Sequence, residues 1–125
     1  MRRLRIGLAQ INTTVGDFVG NTRRILEATS EARSSGVDLL AFPELAICGY
    51  PPEDLLLKPK FIEENLRSLE KVVAGSSGLS IVVGFVDAKE DIYNAAALIH
   101  DGKLVGVYHK TVSYTHLRAH ETVLD

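Results

Sequence analysis

Residues 4–42 read LRIGLAQINTTVGDFVGNTRRILEATSEARSSGVDLLAF. Leu4 to Ile11 is short, apolar and rich in β-formers, and it stops at Asn12, as a buried strand would. Asn, Thr, Gly and Asp between Asn12 and Gly20 make a loop. Asn21 is placed to cap a following helix. Ile25, Ala28, Thr29 and Ala32 then recur at helical spacing, and Gly36 closes the helix. Val37 to Phe42 is a second apolar run, bounded by Gly36 and Pro43. Strand, helix and strand with brief connections form a βαβ unit, whose two strands run parallel.

Downstream, Pro43 to Pro59 holds all four prolines of the chain and is irregular, yet it is apolar (Leu45, Ile47, Tyr50, Leu55, Leu56, Leu57). A long loop of that kind inside a domain is functional more often than disordered. Pro59 suits the first turn of a helix whose apolar stripe is Ile62, Leu66, Leu69 and Val73. Leu79 to Val86 reads as a third buried strand. Ile92 to His100 and Lys103 to His109 flank Asp101-Gly102, the strongest short-range hairpin signal. The order predicts an α/β chain with a mixed sheet and no internal repeat.

Of 125 residues, 46% are hydrophobic and 24% charged, which excludes wholesale disorder. A net charge of -2 argues against a nucleic-acid partner, which would need a cationic face. Arg2, Arg3 and Arg5 precede only four apolar residues, so no signal peptide is read. No window has the length of a membrane span. One cysteine, Cys48, cannot form an internal disulfide. The expectation is a cytoplasmic protein with no membrane contact.

Glu44 lies two residues beyond a strand, where ligands gather in open α/β sheets. Set among apolar neighbours, its carboxyl is expected to shift upward, toward a general-base value. A solvated strand-end carboxylate is the plain alternative. Lys110, also at a strand terminus, could face a developing oxyanion or simply solvent. Cys48 reads as a small buried hydrophobe rather than a nucleophile. His100 and His109 read as satisfied structural histidines. His116 and His120 stand four apart but lack the H-E-x-x-H order, and no metal site is expected. The glycines show neither P-loop nor dinucleotide spacing.

Three stretches together resemble the nitrilase (carbon–nitrogen hydrolase) superfamily: residues 8–21, LAQINTTVGDFVGN; FPEL at 42–45 with GYPPEDLL at 49–56; and YNAA at 93–96 with GVYHK at 106–110. Within it, GYPPEDLL is similar to the glutaminase domain of the glutamine-dependent NAD synthetases. The resemblance implies an α-β-β-α sandwich, of which this chain would form an incomplete part, leaving apolar faces uncovered. It implies a Glu-Lys-Cys triad. Glu44 matches the general base and Lys110 the lysine that stabilises the tetrahedral intermediate, while Tyr50 matches a position lining the glutamine pocket.

The triad's cysteine comes further along in the family, and Cys48 does not match it. The implied partners are L-glutamine and a synthetase domain using ATP with Mg, with a homo-oligomer for the full-length enzyme. No cofactor is expected in this fragment, which alone should be inactive. Residues 1–110 are expected to form the N-terminal half of the domain. Residues 111–125, which include VSYTHLRAHET, resemble an artefactual tail. The alternatives are a stand-alone amidase of the same superfamily and a non-catalytic fragment.

Overall fold

The computed structural model describes residues 3–111; the tail expectations for 112–125, His116 and His120 included, lie outside the described residues. The elements run β1 (Ile6–Leu8), α1 (Phe18–Ser34), β2 (Leu39–Ala41), a 3-10 helix (Glu53–Leu57), α2 (Pro59–Ala74), β3 (Ser80–Ala88), β4 (Ile92–His100) and β5 (Lys103–Thr111). The strands form one open sheet in sequence order. The β1–β2 and β2–β3 pairs are parallel, and the β3–β4 and β4–β5 pairs antiparallel. Two crossovers that step the same way across the sheet, both of the usual hand, put both helices on one face. This is one helix layer on one mixed sheet, the α-β half of the expected sandwich.

The core lies between them: Ile25 and Ala32 of α1 and Leu69 and Val72 of α2 pack with Ile81, Val83 and Phe85 of β3 and Ala95, Ala97 and Ile99 of β4. The other sheet face carries the alternate residues. There a shallow apolar groove is lined by Val82, Ala96, Leu98, Gly106 and Tyr108. Leu98 is 42% and Tyr108 71% exposed. The uncovered apolar face expected from half a sandwich is therefore present among the described residues. No helix among them is long and apolar enough to cross a membrane.

The hairpin turn is as read, with Asp101 at φ 48° and Gly102 at φ 82°, the two left-handed residues of a type I′ turn. Three local readings are corrected. β1 is a three-residue edge strand rather than a buried one, with Leu8 exposed on the uncovered face. Asn21 does not cap α1. Asp17 does, its Oδ1 accepting from Gly20 N at 2.9 Å. Asn21 is fully buried, donating from Nδ2 to the carbonyls of Thr14 (2.8 Å) and Ile47 (3.1 Å) and accepting from Thr14 N (2.9 Å). It thus ties the 12–17 loop to the loop after β2.

The third correction is the face of α2, which is turned so that Phe61, Asn65, Ser68, Leu69 and Val72 are buried while Ile62, Leu66 and Val73 are only partly so. The cause is at β3. β2 ends at Ala41, so the edge of β3 beyond it has no strand to pair with. There Asn65 donates from Nδ2 to Val86 O (2.5 Å), and its Oδ1 accepts from Val86 N (3.1 Å). A side-chain amide replaces the missing strand and draws its helix face inward. Asn65→Leu should therefore lower unfolding free energy by about 2 kcal/mol, since it strands a buried donor and acceptor. Denaturant unfolding of the whole chain measures this, and an unchanged midpoint would remove the role given to Asn65.

Candidate active site

β2 delivers Phe42 to the sheet, where its N–H donates to Val82 O (2.9 Å). The chain then leaves the β-ladder for Pro43, Glu44 and Leu45, and returns when Ile47 N donates to Gly84 O (3.2 Å). The detour crosses directly over Gly84. A Cβ on that residue would overlap Leu45 N and stand 2.9 Å from Glu44 C and Pro43 O. Absence of a side chain at 84 is what lets the loop carry Glu44 down onto the uncovered face.

Lys110 arrives from β5. Its Nζ donates to Glu44 Oε2 at 2.8 Å, across a sequence separation of 66 residues. Both side chains are about two-fifths exposed, at 42% for Glu44 and 40% for Lys110. Asn94, on β4 and on the same face, also helps to keep the Glu44 carboxyl low. Asn94 is nearly fully buried, and its Oδ1 has no hydrogen-bond partner among the described residues. Two of the three site residues expected from sequence, Glu44 and Lys110, are brought together. Tyr50 follows in the same loop but is 59% exposed, and no hydrogen bond or ring contact joins it to the pair. Asn94 was not singled out as a site residue. It lies in the YNAA motif, and a polar residue amid an alanine-rich buried strand was the available signal.

The electrostatics reverse one expectation. The Lys110 hydrogen bond holds the Glu44 carboxyl below its ordinary value; partial burial opposes this, while the Lys110 charge and Asn94 reinforce it. The apolar setting loses because the loop leaves the carboxylate open to water while an ammonium touches it. Glu44 is thus ionised at neutral pH. Its folded value lies below the unfolded one of about 4.3, so the pair's stabilisation is complete above that pH and is lost as pH falls through the folded value. The 13C carboxyl resonance of Glu44 should titrate below that of a glutamate in an unstructured peptide. Coincident midpoints would show that the pair does not persist in solution.

Cys48 is fully buried and faces carbonyls, with Sγ 3.3 Å from Gly49 O and 3.9 Å from Leu45 O. Burial pushes its thiol up to about 12. That agrees with a small packing residue and not with an attacking thiolate. The structural reading of the histidines also stands: His100 Nδ1 lies 2.8 Å from Ser80 Oγ, and His109 Nε2 lies 2.6 Å from Asp87 Oδ2.

The carbon-nitrogen hydrolase family profile matches residues 5–124. The glutamine-dependent NAD(+) synthetase of Thermotoga maritima is 49% identical over 112 residues, covering 88% of this chain and 19% of that protein. A crystal structure of a glutamine-dependent NAD(+) synthetase from Cytophaga hutchinsonii superposes with a TM-score of 0.83 at 31% identity, covering 86% of this chain and 19% of the other. An amidase from Nesterenkonia sp. superposes with a TM-score of 0.76 at 25% identity, over 86% of this chain and 42% of that one. The chain thus spans about a fifth of the length of its curated synthetase relatives. A mixed sheet under two helices, a loop folded over Gly84 and similarity along almost the whole described length lead to one conclusion: the chain belongs to the carbon-nitrogen hydrolase family and is homologous to glutamine-dependent NAD(+) synthetases.

Proposed function

We propose that this chain is the part of a glutamine-hydrolysing NAD synthetase that supplies the proton acceptor and the lysine of the glutaminase centre. The observation that carries the reading is the 2.8 Å contact between Lys110 and Glu44, at the edge of an open sheet face. A carboxylate kept ionised beside a fixed ammonium suits acyl transfer, in which a proton must be taken up as negative charge develops on the substrate oxygen.

Glu44 accepts the proton of a cysteine thiol as the sulfur attacks the glutamine side-chain carbonyl carbon. Lys110 faces the resulting oxyanion. The intermediate collapses to a thioester as the C–N bond breaks, and Glu44 returns its proton to the departing ammonia. Water then gives a proton to Glu44 and attacks the thioester, releasing glutamate and the thiol. The sulfur is not Cys48, whose burial denies it this role. It belongs to the continuing chain, and residues 1–110 are read as the domain's own sequence. Tyr50 is assigned to the wall of the glutamine pocket.

Among the described residues, no group of three His, Cys, Asp or Glu is placed to hold a metal. ATP with Mg is assigned to the synthetase domain, which amidates deamido-NAD with the released ammonia. The partners are L-glutamine, that synthetase domain and further copies of the enzyme, in the cytoplasm.

Expression of the uninterrupted gene tests this. The expected product hydrolyses glutamine and couples it to ATP-dependent amidation of deamido-NAD. A product that hydrolyses amides with no ATP-dependent step would favour the stand-alone amidase instead.

A further inference from the structure

The β-ladder between β4 and β5 is interrupted twice. Near the turn, His100 pairs with Lys103 and Ile99 with Leu104. Leu98 then pairs with Gly106, leaving Val105 as an extra residue. The register holds through Ala95 and His109, and then Asn94 pairs with Thr111, leaving Lys110 as a second extra residue. Each bulge advances β5 by one position against β4. The hairpin turn therefore does not set the position of Lys110, because the first bulge has already broken the register that the turn imposes. Since a one-residue slip exchanges the faces of a strand, something beyond the turn must hold this segment.

The candidate lies one residue before Lys110, on the opposite face. Asp87 of β3 pairs across the sheet with Tyr93 of β4, and Ala95, two residues on, pairs with His109 of β5. The three side chains form a row on the helix-covered face. His109 Nε2 donates to Asp87 Oδ2 at 2.6 Å, and its ring stacks on Tyr93 with centroids 3.9 Å apart and planes 4° from parallel. The Asp87 side chain is only 13% exposed. His109 is thus fixed to two strands at once.

We propose that Asp87, Tyr93 and His109 form a register clamp that fixes β5 at His109 and so keeps the Lys110 ammonium on the face of Glu44. They are positioning residues, separated by the sheet from the pair they serve. The inference rests on the reading of Glu44 and Lys110 as the working pair. A slip of β5 by one residue at His109 would turn Lys110 to the helix-covered face and break the 2.8 Å contact.

The test is the Glu44 carboxyl titration followed by 13C NMR in the whole chain, with cross-strand amide contacts as a second readout. Lys110→Met should raise the midpoint and sets the full scale. His109→Ala and Asp87→Ala should each recover at least half of that rise and shift the contacts beyond Ala95. His109→Gln, which keeps a donor for Asp87, should restore most of the original midpoint. Ser80→Ala removes the Ser80–His100 contact at the far end of the same sheet and should leave Glu44 unmoved.

If Lys110→Met itself leaves Glu44 unmoved, the working pair fails, and the clamp with it. If Lys110→Met moves Glu44 while both alanine variants do not, the clamp alone fails. Should His109→Ala not fold, Asp87→Ala and His109→Gln decide by the same comparison. Loss of folding in both alanine variants also overturns the proposal, because a register clamp is not a requirement for the sheet to form.

Discussion

If the proposed function holds, glutamine-driven NAD synthesis by the whole protein should fall by about 10²–10⁴-fold in the Glu44→Gln variant, the range that a positioned proton acceptor supplies. The substituted side chain keeps the shape of the original and could still meet Lys110 through its amide oxygen, so the variant removes proton uptake and little else. Lys110→Ala should reduce the same rate by about 10²–10³-fold, as loss of one oxyanion partner does. Neither variant should alter synthesis driven by added ammonium salt, because that route bypasses amide hydrolysis. This internal control separates a damaged site from a damaged protein. A glutamine-driven rate that survives in either variant refutes the role given to that residue.

Gly84→Ala should be the most damaging single-atom insertion on the uncovered face. The added methyl would meet backbone at Leu45 N, Glu44 C and Pro43 O, and backbone cannot rotate aside as a side chain tip can. Relief requires lifting the 43–45 loop, which breaks the Ile47 N to Gly84 O bond that anchors its far end. Overpacking of this kind costs about 3 kcal/mol, measurable by denaturant unfolding of this chain. The displaced loop carries Glu44 with it. In the whole protein the glutamine-driven rate should therefore fall about 10²-fold, the penalty for misplacing a reacting group by about 1 Å. Unchanged stability would show that the loop has room that the geometry denies it.

Gly84 itself illustrates what was not legible in sequence. Nothing in LSIVVGFV distinguishes a glycine that weakens a strand from one over which another segment must pass. Asn65 and Asn21 are similar: Asn21 reads as a capping residue and Asn65 draws no reading, yet each is buried because a distant backbone segment needs a partner. Helical periodicity weighs only apolarity, so it placed the stripe of α2 on Ile62, Leu66, Leu69 and Val73, of which only Leu69 is buried, and missed the polar residue that orients the helix. The sign of the Glu44 shift was likewise out of reach, since it turns on a cation 66 residues away.

What the chain's own sequence determined is local or periodic. The Asp101-Gly102 turn specifies its hairpin because left-handed backbone is cheapest there, and the alternation of apolar runs with helical spacing specifies βαβ order. Glu44 and Lys110 could each be marked by their place at a strand end, and the motifs around them point to one family. The tertiary structure decided that the two meet, on which face, and with what protonation. Proximity between residues far apart in the chain depends on register, bulges and the one glycine that admits a crossing loop. Those are set by packing against segments that no local window contains.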